Sequence, residues 1–220
     1  MLRGLFITGT DTGVGKTVVA AALLHRYRGS LPVAYWKPIQ TGIEQDNDTA
    51  EVSRLGECQP AEILDAGVRL PRPLSPHLAA KLSGTTISME DVLDHLAGDR
   101  RKAFWIVEGA GGLLVPINDS QKMSDMMMSL GWPLVVVARS SLGTINHTLL
   151  TLEAARRRSL WVMGVVMVGD SNPENREAIE RYGEVPVLGE MPLFKPLTPG
   201  RVKQWAVAAL DTEFRLQAGL

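Results

Sequence analysis

Apolar and polar positions alternate in blocks along the chain. Five apolar runs, "GLFIT" (4–8), "VAYWK" (33–37), "FWIV" (104–107), "LVVVA" (134–138) and "WVMGVVMV" (161–168), carry the strand signal. Each is continuous rather than alternating, the pattern of strands covered on both faces, which predicts a parallel sheet. Helical patterns fill the gaps: "KTVVAAALLHRYRG" closing at Gly29, 49–57, 77–84, "SMEDVLDHLAG" from 88, "SDMMMSLG", "GTINHTLLTLEAARRR" and "PENREAIERYG". Ser88 with Asp91 resembles a capping box. Strands alternating with helices imply right-handed crossovers and an open, doubly wound, mostly parallel α/β sheet. The stretch "GEMPLFKPLTPGRVKQW" is proline-rich and leads into a final helix. Met126–Met128 read as core filling, His25 and His95 as surface residues of helices, and Arg156–Arg158 as a cationic helix end.

Length and composition narrow the class. One α/β domain spanning 1–220 accounts for the 220 residues, with no internal repeat or low-complexity linker. A formal net charge of -1 gives no electrostatic footprint for nucleic acid, so any polyanion bound should be small. Cys58 is the only cysteine, which excludes intramolecular disulfides and cysteine-rich zinc sites. The start "MLRGLFITG" is too soon interrupted for a signal peptide, and no apolar run reaches the roughly 18 residues of a membrane span. A cytoplasmic protein without membrane partners is expected.

"GTDTGVGKT" (9–17) departs from the usual phosphate loop, because Gly9 sits one place early and Thr10 stands where a glycine belongs. Strand, loop and helix nevertheless follow in the required order. Backbone N–H groups of Thr12, Gly13, Val14, Gly15, Lys16 and Thr17 can wrap a triphosphate at the positive end of the helix. Lys16 would reach the β and γ phosphates, and the Thr17 hydroxyl would ligate magnesium. Glu108 ends the strand "FWIV", where such folds keep an acidic residue for the metal. Gly109, Ala110 and Gly111 after it let backbone approach a ligand, or form a flexible turn. Asp48 is either a further metal ligand or a helix N-cap. Lys37 either faces an anion in the same crevice or snorkels to water. Thr41 and Gly42 follow on a tight turn. Gly143, in "SLGTINH", opens a helix that can attract an anion or be capped by Ser141 or Thr144. His77 and His147 have no partner at metal-ligand spacing.

Taken as an ordered set, "TGTDTGVGKT", "KPIQTG", "SPH", "VEGAGGLLVPI", "SLGTINHTLLT" and "LGEMP" resemble the dethiobiotin synthetases over most of the chain. The resemblance implies a P-loop nucleoside triphosphate hydrolase fold and a homodimeric, ATP-dependent cyclo-ligase. It would join CO2 to the two neighbouring amines of 7,8-diaminononanoate through a carbamate and a carbamic-phosphoric anhydride. It further implies that Lys37 and Lys16 are catalytic and that Thr17, Asp48 and Glu108 hold Mg2+. Thr41 and Ser75 would meet the diamine, whose far carboxylate would dock at Gly143, Thr144, Ile145 and Asn146 of the other subunit. Gly169, Asp170, Pro192, Leu193 and Phe194 would lie near the base. One departure stands out: many members carry Asn-Asp where Val168 and Gly169 stand here, and the asparagine reads adenine. Its loss extends the expected nucleotide from ATP to other nucleoside triphosphates. The rival reading is a nucleotide-switched partitioning or metallochaperone ATPase. Asp11 counts against it, standing where that class carries a loop lysine, as does the lack of a C-terminal membrane helix.

Overall fold

All five apolar runs fold as strands. A computed structural model describes residues 4–99, 101–213 and 215; residues 1–3 and 216–220, at the ends read above for a leader and a membrane helix, lie outside them. In chain order the elements are β1 (Gly4–Gly9), α1 (Lys16–Tyr27), β2 (Val33–Trp36), β3 (Ile39–Thr41) and α2 (Asp48–Leu55). Next come β4 (Ile63–Leu64), β5 (Val68–Leu70), α3 (Pro76–Leu82), α4 (Met89–Ala97), β6 (Phe104–Gly112) and α5 (Met123–Leu130). The last are β7 (Leu134–Arg139), α6 (Thr144–Arg156), β8 (Val162–Val168), α7 (Pro173–Gly183), β9 (Val187–Met191) and α8 (Pro199–Ala209). Among the described residues no helix is long and apolar enough to cross a membrane.

The main sheet has seven strands in the order β4-β2-β6-β1-β7-β8-β9, and every pair is parallel. β3 and β5 form a separate parallel pair. Successive residues of a strand face opposite sides, and the packing follows. Leu5, Ile7, Val33, Tyr35, Ile106, Val135 and Val137 pack with α1, α2 and α8. On the other face, Phe6, Ala34, Trp36, Trp105 and Val107 pack with α3, α4 and α5. Val136, Ala138, Val165 and Met167 continue that face beneath α6 and α7.

This alternation builds the site. Tyr35 pairs with Ile106 across β2 and β6, so the next residue on the same face of each chain segment, Lys37 and Glu108, comes level on the side that α1 covers. The structure corrects the strand end assigned to Glu108, because β6 continues through the glycine-rich stretch to Gly112. Its pairing with β1 runs Ile7 to Glu108 and then shifts to Gly9 against Gly112. A Cβ on Gly109 would lie 2.8 Å from the Phe6 ring, so the missing side chain keeps the two strands together. His25 is a second correction: it is buried, because α2 and α8 as well as the sheet enclose α1. Met126 and Met127 fill the core while Met128 is exposed.

Candidate active site

The phosphate loop leaves β1, turns through Gly13 (φ 71°) and Gly15 (φ 99°), and enters α1 at Lys16. Both left-handed positions suit glycine. The Lys16 ammonium is buried and donates to the Asp11 carbonyl at 3.0 Å. Burial first, then the neighbouring Lys37 charge, pull its pKa below the ordinary lysine value. Asp11 also accepts from the Thr12 N–H at 2.7 Å and pairs with Arg139 at 2.6 Å, bracing the loop's outer edge.

Behind the loop four predicted residues converge. The Thr17 hydroxyl lies 3.0 Å from Asp48 Oδ1 and 3.1 Å from Glu108 Oε1. Lys37 Nζ lies 2.5 Å from Asp48 Oδ2, 2.9 Å from Glu108 Oε1 and 3.2 Å from the Gly109 carbonyl. Lys37 does not snorkel; it is 2% exposed. Burial opposes its charge, but Glu108 and Asp48 together outweigh burial and raise its pKa. For Asp48 burial opposes ionisation too, yet Lys37 and Thr17 hold its carboxyl below the ordinary aspartate value.

Asp48 is free for this role because another residue caps its helix. Asn47 is the N-cap, accepting from the Ala50 N–H at 2.9 Å. Gln40, which the sequence reading passed over, accepts from the Asp48 N–H at 3.0 Å and donates to the Asp46 carbonyl at 3.0 Å. It fixes where Asp48 enters α2. Tyr35 was missed as well: its hydroxyl donates to Glu108 Oε2 at 2.9 Å. Burial and the Glu108 charge push its pKa well above the usual tyrosine value, so it stays a donor.

Two carboxylates and a hydroxyl are hard oxygen donors, a set that fits magnesium. Among the described residues no group of three or more His, Cys, Asp or Glu could hold a metal alone.

A cavity of about 480 Å³ opens beside the loop, walled by Thr12–Gly15, Val168, Gly169 and Pro192–Phe194. Asp170 is exposed and does not line it. Val168 packs against the loop so closely that a Cβ on Gly15 would stand 3.2 Å from its methyl. The Ser140 carbonyl at this wall is taken by Asn175, whose side-chain amide donates to it at 2.9 Å. A second cleft of about 560 Å³ lies on the loop's other flank, between Gly9–Thr12, Gly112–Pro116 and the face of α6 carrying His147, Leu150 and Thr151.

Thr41 is half-buried at the end of β3, and Ser75 is the N-cap of α3, which packs on β3. Gly143 opens α6 in a left-handed conformation (φ 91°) with no side-chain cap, so neither Ser141 nor Thr144 fills that role. Gly143 and Asn146 are exposed, Ile145 half-buried and Thr144 buried. Among the described residues no hydrogen bond joins this helix start to Lys37, Thr41 or Ser75.

The AAA domain family model matches residues 3–201. The ATP-dependent dethiobiotin synthetase BioD of Paramagnetospirillum magneticum is 50% identical over 190 residues, covering 86% of this chain and 88% of that protein. The same-named protein of Brucella ovis is 44% identical over 198 residues, 90% of each. Among solved structures, the MinC:MinD cell division complex of Aquifex aeolicus aligns with a TM-score of 0.59 at 12% identity, over 98% of this chain and 96% of that one. That likeness is one of fold, the P-loop nucleoside triphosphatase fold. Sequence identity this high over nearly the whole of both chains separates the families sharing it, and the chain belongs to the ATP-dependent dethiobiotin synthetases.

Proposed function

We propose that this chain closes the ureido ring of dethiobiotin from 7,8-diaminononanoate, CO2 and a nucleoside triphosphate, as a cytoplasmic homodimer of single-domain subunits spanning 1–220. The family's named activity, ATP-dependent dethiobiotin synthesis, is a C–N bond-forming ligation within biotin biosynthesis. The observation that carries the residue assignment is the convergence of Thr17, Lys37, Asp48 and Glu108 behind the phosphate loop. A partitioning ATPase is not favoured, since such chains match at the level of fold alone.

Chemistry of this kind asks for positioning and charge neutralisation. Thr17, Asp48 and Glu108 would hold magnesium, which supplies charge neutralisation on the triphosphate. Lys16 exchanges the Asp11 carbonyl for β and γ phosphate oxygens, a stronger partner for an ammonium. One amine of the substrate takes up CO2 and loses a proton, giving a carbamate. Lys37 stabilises the negative charge as a carbamate oxygen attacks the γ phosphorus and the bond to ADP breaks. The second amine then attacks the carbamoyl carbon, losing a proton as the C–N bond forms and phosphate leaves. Thr41 and Ser75 contact the diamine, and its far carboxylate meets the helix start Gly143–Asn146 of the other subunit.

The base occupies the cavity walled by Val168, Gly169 and Pro192–Phe194, with Asp170 outside it. Val168 offers no donor or acceptor where an asparagine would read adenine, which supports use of other nucleoside triphosphates beside ATP. The test is an assay of purified protein with diamine, bicarbonate and magnesium, run separately with ATP, CTP and GTP. Dethiobiotin should form in each at comparable kcat/KM. No product with any nucleotide would overturn the ligase assignment; product with ATP alone would overturn the relaxed base selectivity.

A further inference from the structure

The two oxygens of the Glu108 carboxylate have different partners. Oε1 faces Thr17 and Lys37 at 3.1 and 2.9 Å, whereas Oε2 receives the Tyr35 hydroxyl at 2.9 Å. Tyr35 is wholly buried on β2, its ring set among Val33, Ile106 and the core beneath α1, and sits two residues before Lys37, which follows the strand's end. The last torsion of a glutamate is soft and roughly two-fold, so an unbraced carboxylate can present either oxygen or both. Magnesium tolerates little departure from octahedral geometry.

We propose that Tyr35 is a positioning residue that holds Oε2 of Glu108 and thereby presents Oε1 alone to the metal and to Lys37. The assignment rests on Glu108 as a magnesium ligand, as read under Proposed function. Partners of metal-ligating groups are commonly worth 10- to 100-fold in metal affinity. Tyr35→Phe removes the hydroxyl and keeps the ring that fills the core.

The test compares Tyr35→Phe, Glu108→Ala and the double variant. Mn2+ binding to each ADP complex, without turnover, is followed by electron paramagnetic resonance of the free ion. Tyr35→Phe should bind Mn2+ about 10-fold more weakly and need about 10-fold more Mg2+ for half-maximal turnover. At saturating Mg2+ its kcat should return to within about threefold of wild type. A purely structural role would not give that split. The double variant should bind Mn2+ no more weakly than Glu108→Ala, and further weakening would overturn action through Glu108. If Glu108→Ala binds Mn2+ as wild type does, the metal reading fails and the Tyr35 assignment with it. If Glu108→Ala weakens binding and Tyr35→Phe does not, the Tyr35 assignment alone is overturned.

Discussion

Lys37 is a cation buried to 2% exposure, and such a charge survives only if its neighbours repay its lost hydration. Asp48 and Glu108 do so, and in the metal-free protein the shifts of Lys37 and Asp48 tie folding to pH. Lys37 has its folded pKa raised above the ordinary 10.5, so its contribution is full below 10.5 and is lost as pH rises through the folded value. Asp48 has its folded pKa below the ordinary 3.8, so its contribution is present above 3.8 and is lost as pH falls through the folded value. Lys37 and Asp48 therefore both carry their charge across the neutral range. Lys37→Ala should cut turnover by about 100-fold or more, the roughly 3 kcal/mol expected for one lost charge stabiliser. Affinity for a nonhydrolysable nucleotide should change little, because Lys16 and the loop amides stay in place. Normal turnover in that variant would make Lys37 a structural lysine.

At the scale of the elements, α1 shows what a sequence pattern can and cannot carry. Its order after β1 and the glycine loop was legible, as was the parallel sheet, since continuous apolar runs need cover on both faces. The burial of His25 was not, because a histidine next to Arg26 in "ALLHRY" gives no sign that α2 and α8 close over it. Its Nε2–H donates to the Leu55 carbonyl at 2.9 Å, which a neutral ring allows. Burial chiefly lowers its pKa below the ordinary 6.5, so the unfolded chain takes up the proton first. Stability supplied by neutral His25 is present above pH 6.5 and is lost as pH falls from there toward the folded value. Thermal unfolding of wild type should thus lose more between pH 7.5 and 5.5 than that of His25→Gln, which keeps a donor and cannot titrate. Equal losses would show that His25 titrates like a surface histidine. Other omissions have similar causes. β9 was absorbed into a proline-rich stretch because Pro186 and Gly189 break its pattern, although Gly189 is what lets Trp205 pack against it. Tyr35 lay hidden in an apolar strand because its role depends on Glu108, 73 residues away, and Gln40 in the three-residue strand β3, which no apolar run announces. Thr17, Lys37, Asp48 and Glu108 could be named singly; their convergence came from register.

For the whole molecule, the proposed homodimer makes a demand that a monomer's own contacts leave open. Leu142 is fully exposed beside Gly143, and Leu114 and Leu150 are also exposed, the latter two lining the cleft next to Thr10–Thr12. Apolar side chains beside an uncapped helix start and a phosphate loop suit a surface that a second copy covers. In a two-fold dimer each subunit would lend its helix start to the other's loop. Subunit complementation tests that division. On the proposed reading, Lys37→Ala would disable the loop side of a site, and Asn146→Asp the helix side, by setting a carboxylate where the substrate's carboxylate would dock. Each variant alone should form little dethiobiotin. If sites are shared, random exchange makes half the dimers mixed, and each mixed dimer carries one intact site of two, so activity should recover to about a quarter of wild type. If each site lay within one chain, mixing would recover none, because every chain would still carry its own defect.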